Sequence, residues 1–184
     1  MLHCASRMKQ GANWFARLGL AAACLSLAAC TGSTDFDVSA SFYANSAGSP
    51  AVYSSTQAID LAADAPDAWK HRDKVDSLEL VGINGTMTGG AIPAATTGSG
   101  TLTLRPDGGT GSTDVVVGSW SSEPIPATAP HTIGVVLSPA AVSVIESALT
   151  GSGRFSIIMT GATAAPVSFP ADVTLHLKLK YKLL

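Results

Sequence analysis

The sequence predicts a mainly β protein: a single antiparallel β-sandwich, or a partly open barrel, with one or two short helices. The strongest observation lies near the C-terminus, where apolar and polar residues alternate through Val173–Leu183, the period of a strand with one buried face. About eight short segments of strand character are separated by Gly, Pro, Asn and Asp, as in all-β domains. No internal repeat or second domain is apparent, so these strands are expected to share one core.

The first thirty residues have the pattern of a targeting segment. Arg7, Lys9 and Arg17 precede the uncharged apolar run Leu18–Ala28. Secretory signal peptides combine such a positive region with an apolar stretch of about 7–15 residues and small residues at the cleavage site. The run is too short for a transmembrane helix, which needs about 20 apolar residues.

The tetrapeptide Leu27-Ala28-Ala29-Cys30, aliphatic, small, small and cysteine, resembles the lipobox of bacterial lipoproteins. The resemblance implies that the Cys30 sulfur receives a diacylglyceryl group, that cleavage occurs before it, and that the new amine is acylated, as with palmitate. It divides the chain into a signal peptide (1–29), a lipidated cysteine with a short tether (30–34) and a β domain (35–184).

Several points about the anchor follow from the same resemblance. Either Met1 or Met8 is the start, and Met8-Lys9 opens the more ordinary signal peptide. Thr31 follows the cysteine where Asp tends to retain enterobacterial lipoproteins in the inner membrane, which favours the outer membrane here. The membrane face, periplasmic or surface, is left open.

Composition restricts the function of the mature chain. Its 155 residues suit one domain with a real core, and its eight basic and thirteen acidic residues give a formal charge of −5. A mildly acidic domain is a poor nucleic-acid binder, since such binding depends on neutralising phosphates. Cys30 is its only cysteine, so no internal disulfide is expected.

Strands are expected at intervals along the whole domain. In chain order, they are Phe36–Phe42, Ala51–Leu61, Ser77–Ile83, Gly100–Arg105, Val115–Trp120, Thr132–Leu137, Arg154–Thr160 and Val173–Leu183.

Turns and helices are expected between these strands. Pro106-Asp107-Gly108-Gly109 predicts a turn, with Pro at its first corner and Gly where φ is positive. Asn84-Gly85 is either a hairpin turn or part of one long strand that ends near Thr88. A charged helix is predicted around Pro66–Asp76, and an amphipathic one over Ser138–Leu149, with Ser138 as its N-cap.

No catalytic or metal-binding pattern stands out. His71, His131 and His176 are far apart without paired ligand spacing, and no Gly-x-Ser-x-Gly elbow or phosphate-binding glycine loop occurs. The aspartate pairs Asp35/Asp37 and Asp107/Asp114 fit turns and a soluble surface better than a calcium site. We therefore predict no enzyme activity, no metal and no cofactor.

Two polar clusters are candidates for interactions. Trp69, Lys70, His71 and Arg72 form a possible partner surface, although we favour the alternative, that Trp69 anchors its helix on the sheet while the charges are solvated. Lys178, Lys180 and Lys182 share one strand face, where they either protect a sheet edge, which we favour, or face anionic lipid headgroups.

These observations favour a membrane-anchored, non-enzymatic module that binds an envelope protein or supports envelope structure. The alternative is a carrier that holds a lipid or other apolar ligand between its sheets, near the Ser138–Leu149 helix. A lipobox indicates where a protein is located and not its biochemical activity. The choice between module and carrier therefore depends on the β domain.

Overall fold

A computed structural model describes residues 31–48, 50–87, 96–125, 131–133, 135–137 and 140–183. Within them, nine strands form two antiparallel sheets that do not close into a barrel, so the protein is a β-sandwich, as predicted. The signal segment and Cys30 lie outside the described residues. The strands are β1 (Thr31–Asn45), β2 (Ala51–Asp60), β3 (Val75–Met87), β4 (Thr97–Pro106), β5 (Val115–Pro124), β6 (His131–Ile133), β7 (Val136–Leu137), β8 (Arg154–Thr163) and β9 (Ser168–Lys182).

The first sheet has the order β1-β9-β3-β6, and its longest strands lie at the N- and C-terminal ends of the described chain. The alternation predicted for Val173–Leu183 is confirmed, with β9 beginning five residues earlier and ending at Lys182. Because β9 pairs with β1 on one side and β3 on the other, its inward side chains lie at the centre of the core. They are Phe169, Ala171, Val173, Leu175, Leu177 and Leu179, all at most 1% exposed.

The second sheet has the order β2-β8-β4-β5-β7. Leu102, Leu104, Ile157 and Met159 point from its two central strands into the core and are fully buried. The ring of Tyr53 meets that of Phe169 edge to face at 5.4 Å, which joins the two sheets. Their inner faces thus form one apolar core without a disulfide.

The expectation that Thr31–Thr34 form a tether outside the β domain is wrong. Thr31–Thr34 are the first four residues of β1 and pair with Leu179–Lys182 at the end of β9. The ring of Tyr181 covers Gly32 so closely that a Cβ on Gly32 would lie 2.6 Å from it. The first sheet therefore already includes Thr31–Thr34. We call the end of the sandwich where β1 begins the proximal end.

Two further expectations about strands are resolved. Asn84-Gly85 lies inside β3, which continues to Met87, so it is not a hairpin turn. Thr132–Leu137 is not one strand: β6 pairs with β3 in the first sheet, whereas β7 pairs with β5 in the second. The chain crosses between the sheets there, which a local pattern does not reveal.

The helices are shorter than predicted. The Pro66–Asp76 segment contains α2 (Pro66–Trp69) and a 3₁₀ turn (Arg72–Lys74), because β3 already begins at Val75. A preceding turn of helix, α1 (Leu61–Asp64), was not predicted.

The third helix, α3 (Ala141–Thr150), packs between β3 of the first sheet and β4, β5 and β8 of the second. Its N-cap is Ala140 rather than Ser138, which lies outside the described residues. Its buried side chains are Ala141, Val144, Ile145, Ala148 and Leu149.

Candidate functional site

Trp69 and Arg72 of the predicted partner surface contact each other. Trp69 ends α2 and is half-buried, with its ring over Gly153, where an added Cβ would lie 2.9 Å from Cη2. The Arg72 guanidinium lies 4.5 Å from the centre of the indole ring, and Arg72 Nη1 donates to the Trp69 carbonyl at 3.2 Å. The ring thus packs α2 against the start of β8 and the apolar core, and the Arg72 guanidinium lies over it.

Lys70 and His71 face other neighbours. Lys70 Nζ donates to Asp67 Oδ1 at 2.7 Å, and this hydrogen bond holds the pKa of the Asp67 carboxyl below its ordinary value. Both side chains are largely exposed, so the pair contributes little to stability. The His71 ring stacks on Tyr181 at 3.7 Å between centroids, with the planes 7° apart. The predicted surface is therefore attached to both β8 and β9.

Strand pairing places lysines from two distant segments at the same end of the first sheet, beside this surface, and sequence reasoning missed this placement. Lys182 pairs with Thr31, and Lys180 pairs with Ser33 on β1 and Ser77 on β3. Lys74 immediately precedes β3, whose first residue pairs with Tyr181. We call Lys74, Lys180 and Lys182, all exposed, the proximal lysine patch. No sequence signal locates it before the pairing of β9 with β1 and β3 is known.

The predicted edge-protecting role of Lys178, Lys180 and Lys182 is wrong. Edge protection needs an unpaired strand side, whereas β9 is internal in its sheet and bonded on both sides. Lys178 lies opposite Asp35 on β1 and Glu79 on β3, so two carboxylates flank its charge. Lys180 and Lys182 lie opposite uncharged residues.

A cleft of about 540 Å³ lies where β2 and β4 end and β8 begins. Asp60, Asp64 and Asp107 line it together with Arg105 and Arg154. Arg154 Nε lies 3.4 Å from Asp60 Oδ2, so part of this charge is already paired. Its charged lining does not suit an apolar ligand.

Arg105 also binds Asp114 with two hydrogen bonds of 2.7 Å, one from Nε and one from Nη2. This bonding lowers the pKa of the Asp114 carboxyl. Asp114 therefore forms an ion pair with Arg105 at the end of β4, whereas Asp107 lies in the turn that follows β4. The two aspartates have separate structural roles.

The histidines lie apart. On the outer face of the first sheet, His176 Nδ1 is 2.7 Å from Asp37 Oδ1, and its Nε2 is 2.8 Å from Asn84 Nδ2. His131 Nε2 lies 3.0 Å from Glu123 Oε2 and connects β6 with β5. Within the described residues, no group of three or more His, Cys, Asp or Glu side chains is arranged to hold a metal ion.

Comparisons with known proteins leave the family open. No family model matches the chain, and no curated protein matches it. Among solved structures, a chain of Desmodium yellow mottle tymovirus is similar with a TM-score of 0.36 and 12% identity, over 100% of this chain and 95% of that one. Among the described helices, none is long and apolar enough to cross a membrane.

Proposed function

We propose that this chain is the precursor of a bacterial lipoprotein, anchored in the cell envelope by lipid on Cys30. The observation that carries the proposal is Leu27-Ala28-Ala29-Cys30, placed directly behind a basic segment and the uncharged run Leu18–Ala28. Two or three acyl chains, at about 0.8 kcal/mol per buried CH₂, hold such a protein on the membrane durably. Thr31 after the cysteine favours the outer membrane.

The position of the fold supports this division of the chain. β1 begins at Thr31, and every described element of the sandwich follows it. Cleavage before Cys30 would therefore leave every described strand intact. The core also needs no disulfide, which suits a mature chain whose only cysteine carries lipid.

The mature domain is proposed to act as a non-enzymatic binding or structural module of the envelope. Trp69, Lys70, His71 and Arg72 are its candidate partner surface: they combine a half-buried aromatic ring with exposed charge, a composition common at interfaces. The cleft lined by Asp60, Asp64 and Arg105 gives the alternative, a carrier of an apolar ligand, no specific support, because its lining is charged.

The anchor is tested in the full chain, expressed in a Gram-negative host that is fed an alkyne analogue of palmitate. We expect the wild type and the control Cys24→Ser, which changes the cysteine inside the run Leu18–Ala28, to incorporate label and to fractionate with membranes. Cys30→Ser should remain unlabelled and uncleaved. Equal labelling of Cys30→Ser and wild type would overturn the proposal.

The choice between module and carrier is tested by native mass spectrometry of residues 31–184, which contain both sheets. The module predicts the bare polypeptide mass. A reproducible additional mass that leaves on denaturation and is identified as lipid would favour the carrier instead.

A further inference from the structure

The proximal lysine patch lies unusually close to the proposed anchor. Thr31 is one residue from Cys30 and pairs with Lys182, and neighbouring strands lie about 4.8 Å apart. Lys180 lies two residues before Lys182, one pleat repeat or about 7 Å further along β9 from Thr31. Lipid on Cys30 would therefore place both ammonium groups about one Debye length, or 8–10 Å, from the headgroups.

The charges of this patch are also available. In the described part of the chain, Lys74, Lys180 and Lys182 form no ion pair within 4.0 Å. The nearby aspartates are partly engaged: Asp67 binds Lys70 at 2.7 Å, and Asp73 lies 3.9 Å from Arg72. Asp76, beside the patch in sequence, reduces its positive charge without pairing with it.

The rest of the domain has the opposite character. Six of the eight basic residues of the mature chain lie in the two segments 70–74 and 178–182, whereas the mature chain as a whole carries −5. An anionic surface would therefore repel most of the domain and attract this part of it. Charge and anchor position select the same orientation.

Resting on the proposed function, we propose that the proximal lysine patch docks on anionic lipid headgroups of the membrane that holds Cys30. Lipid then supplies the attachment, and the lysines set the orientation of the sandwich, with its first sheet inclined towards the membrane. A polybasic segment gains about 1 kcal/mol per Lys at an anionic surface, which is about a fivefold preference for each residue.

The test attaches the chain to vesicles chemically, so that it does not depend on acylation in cells. Residues 30–184 contain one cysteine, which couples to a maleimide lipid, and two tryptophans, Trp69 and Trp120. Trp120→Phe leaves Trp69, at the proximal end, as the only reporter. This substitution breaks no side-chain hydrogen bond within the described residues, since Trp120 Nε1 has no partner there.

Quenching of Trp69 by a headgroup nitroxide lipid is measured in phosphatidylcholine vesicles with and without 30% phosphatidylglycerol. Docking predicts stronger quenching with the anionic lipid. In Lys180→Gln/Lys182→Gln, the docked-to-undocked ratio should fall about 30-fold, and 1 M salt should have a similar effect. The matched control Ser54→Glu/Ser119→Glu makes the same charge change on exposed positions of the second sheet and should keep the lipid dependence.

Equal quenching in both vesicle types would overturn the inference, as would an equal loss in the lysine variant and its control. Circular dichroism of each variant verifies the fold. Failure of Cys30 acylation in cells bears on the anchor alone, because the coupling here is chemical. The two proposals therefore fail separately.

Discussion

Gly153→Ala should destabilise the domain through Trp69, and the size of the effect follows from two contributions. Gly153 has a φ of +78°, where an alanine costs about 1–2 kcal/mol. The added Cβ would also lie 2.9 and 3.0 Å from two carbons of the Trp69 ring. Because the backbone fixes the position of Gly153, the Trp69 ring must move to accommodate the added Cβ. Overpacking of this kind costs about 1–3 kcal/mol.

Gly108→Ala separates these contributions. Gly108 has a φ of +67° but nothing within 4 Å of an added Cβ, so it reports the backbone cost without the steric one. We expect Gly153→Ala to be less stable than Gly108→Ala by about 2 kcal/mol. At a urea dependence of about 2 kcal/mol per molar, its midpoint should lie about 1 M lower.

The assay is urea unfolding of residues 31–184, followed by circular dichroism and tryptophan emission. In the native state, Gly153→Ala should shift emission to the red, because the displaced ring meets more water, whereas Gly108→Ala should not. If the urea midpoints of the two variants agree within about 0.2 M, the steric reasoning is refuted. The contact of the added Cβ with Trp69 would then contribute nothing to the loss of stability.

Three further outcomes are expected. Gly161→Ala should lower stability by about 1–3 kcal/mol in thermal unfolding, because a Cβ there would clash with the Ser99 carbonyl oxygen and the Tyr53 ring; unchanged stability would contradict this packing. Phe169→Ala should cost about 3–5 kcal/mol in urea unfolding, since the ring is fully buried; a loss under 1 kcal/mol would contradict its core position. Asp114→Asn should lose stability at neutral pH, because the hydrogen bonds from Arg105 lower the folded pKa of the carboxyl. That contribution is present above the unfolded pKa and lost as pH falls through the folded one, so urea midpoints should converge in acid.

The fold class could be predicted because a half-buried strand leaves a local signal. The alternation in β9 indicates which of its residues face the core. The same alternation is visible in β1, at Phe36, Val38, Ala40 and Phe42. Strand order leaves no such signal. Edge protection was expected for β9 because outward lysines look alike on an edge and a central strand, whereas the pairing shows that β9 is central.

The candidate site could be predicted in part for a similar reason. Trp69–Arg72 is contiguous, so its composition is visible in the sequence. The stacking of His71 on Tyr181 and the pairing of Val75, next to Lys74, with Tyr181 join segments about 100 residues apart. Such meetings depend on register, and a one-residue slip would turn Lys180 to the opposite face.

If Cys30 carries lipid, the inclusion of Thr31–Thr34 in β1 affects how small interactions act at the membrane. A flexible linker lets a domain turn freely, so docking must offset the orientational freedom that the domain and its linker lose. Here Thr31 lies in β1, the edge strand of the first sheet. It is already paired with Lys182 of the neighbouring strand β9, which is internal in that sheet. If Cys30 carries the lipid, the attachment point is one residue from the paired Thr31. A few lysines, each contributing about 1 kcal/mol, can then select an orientation that they could not impose through a long linker.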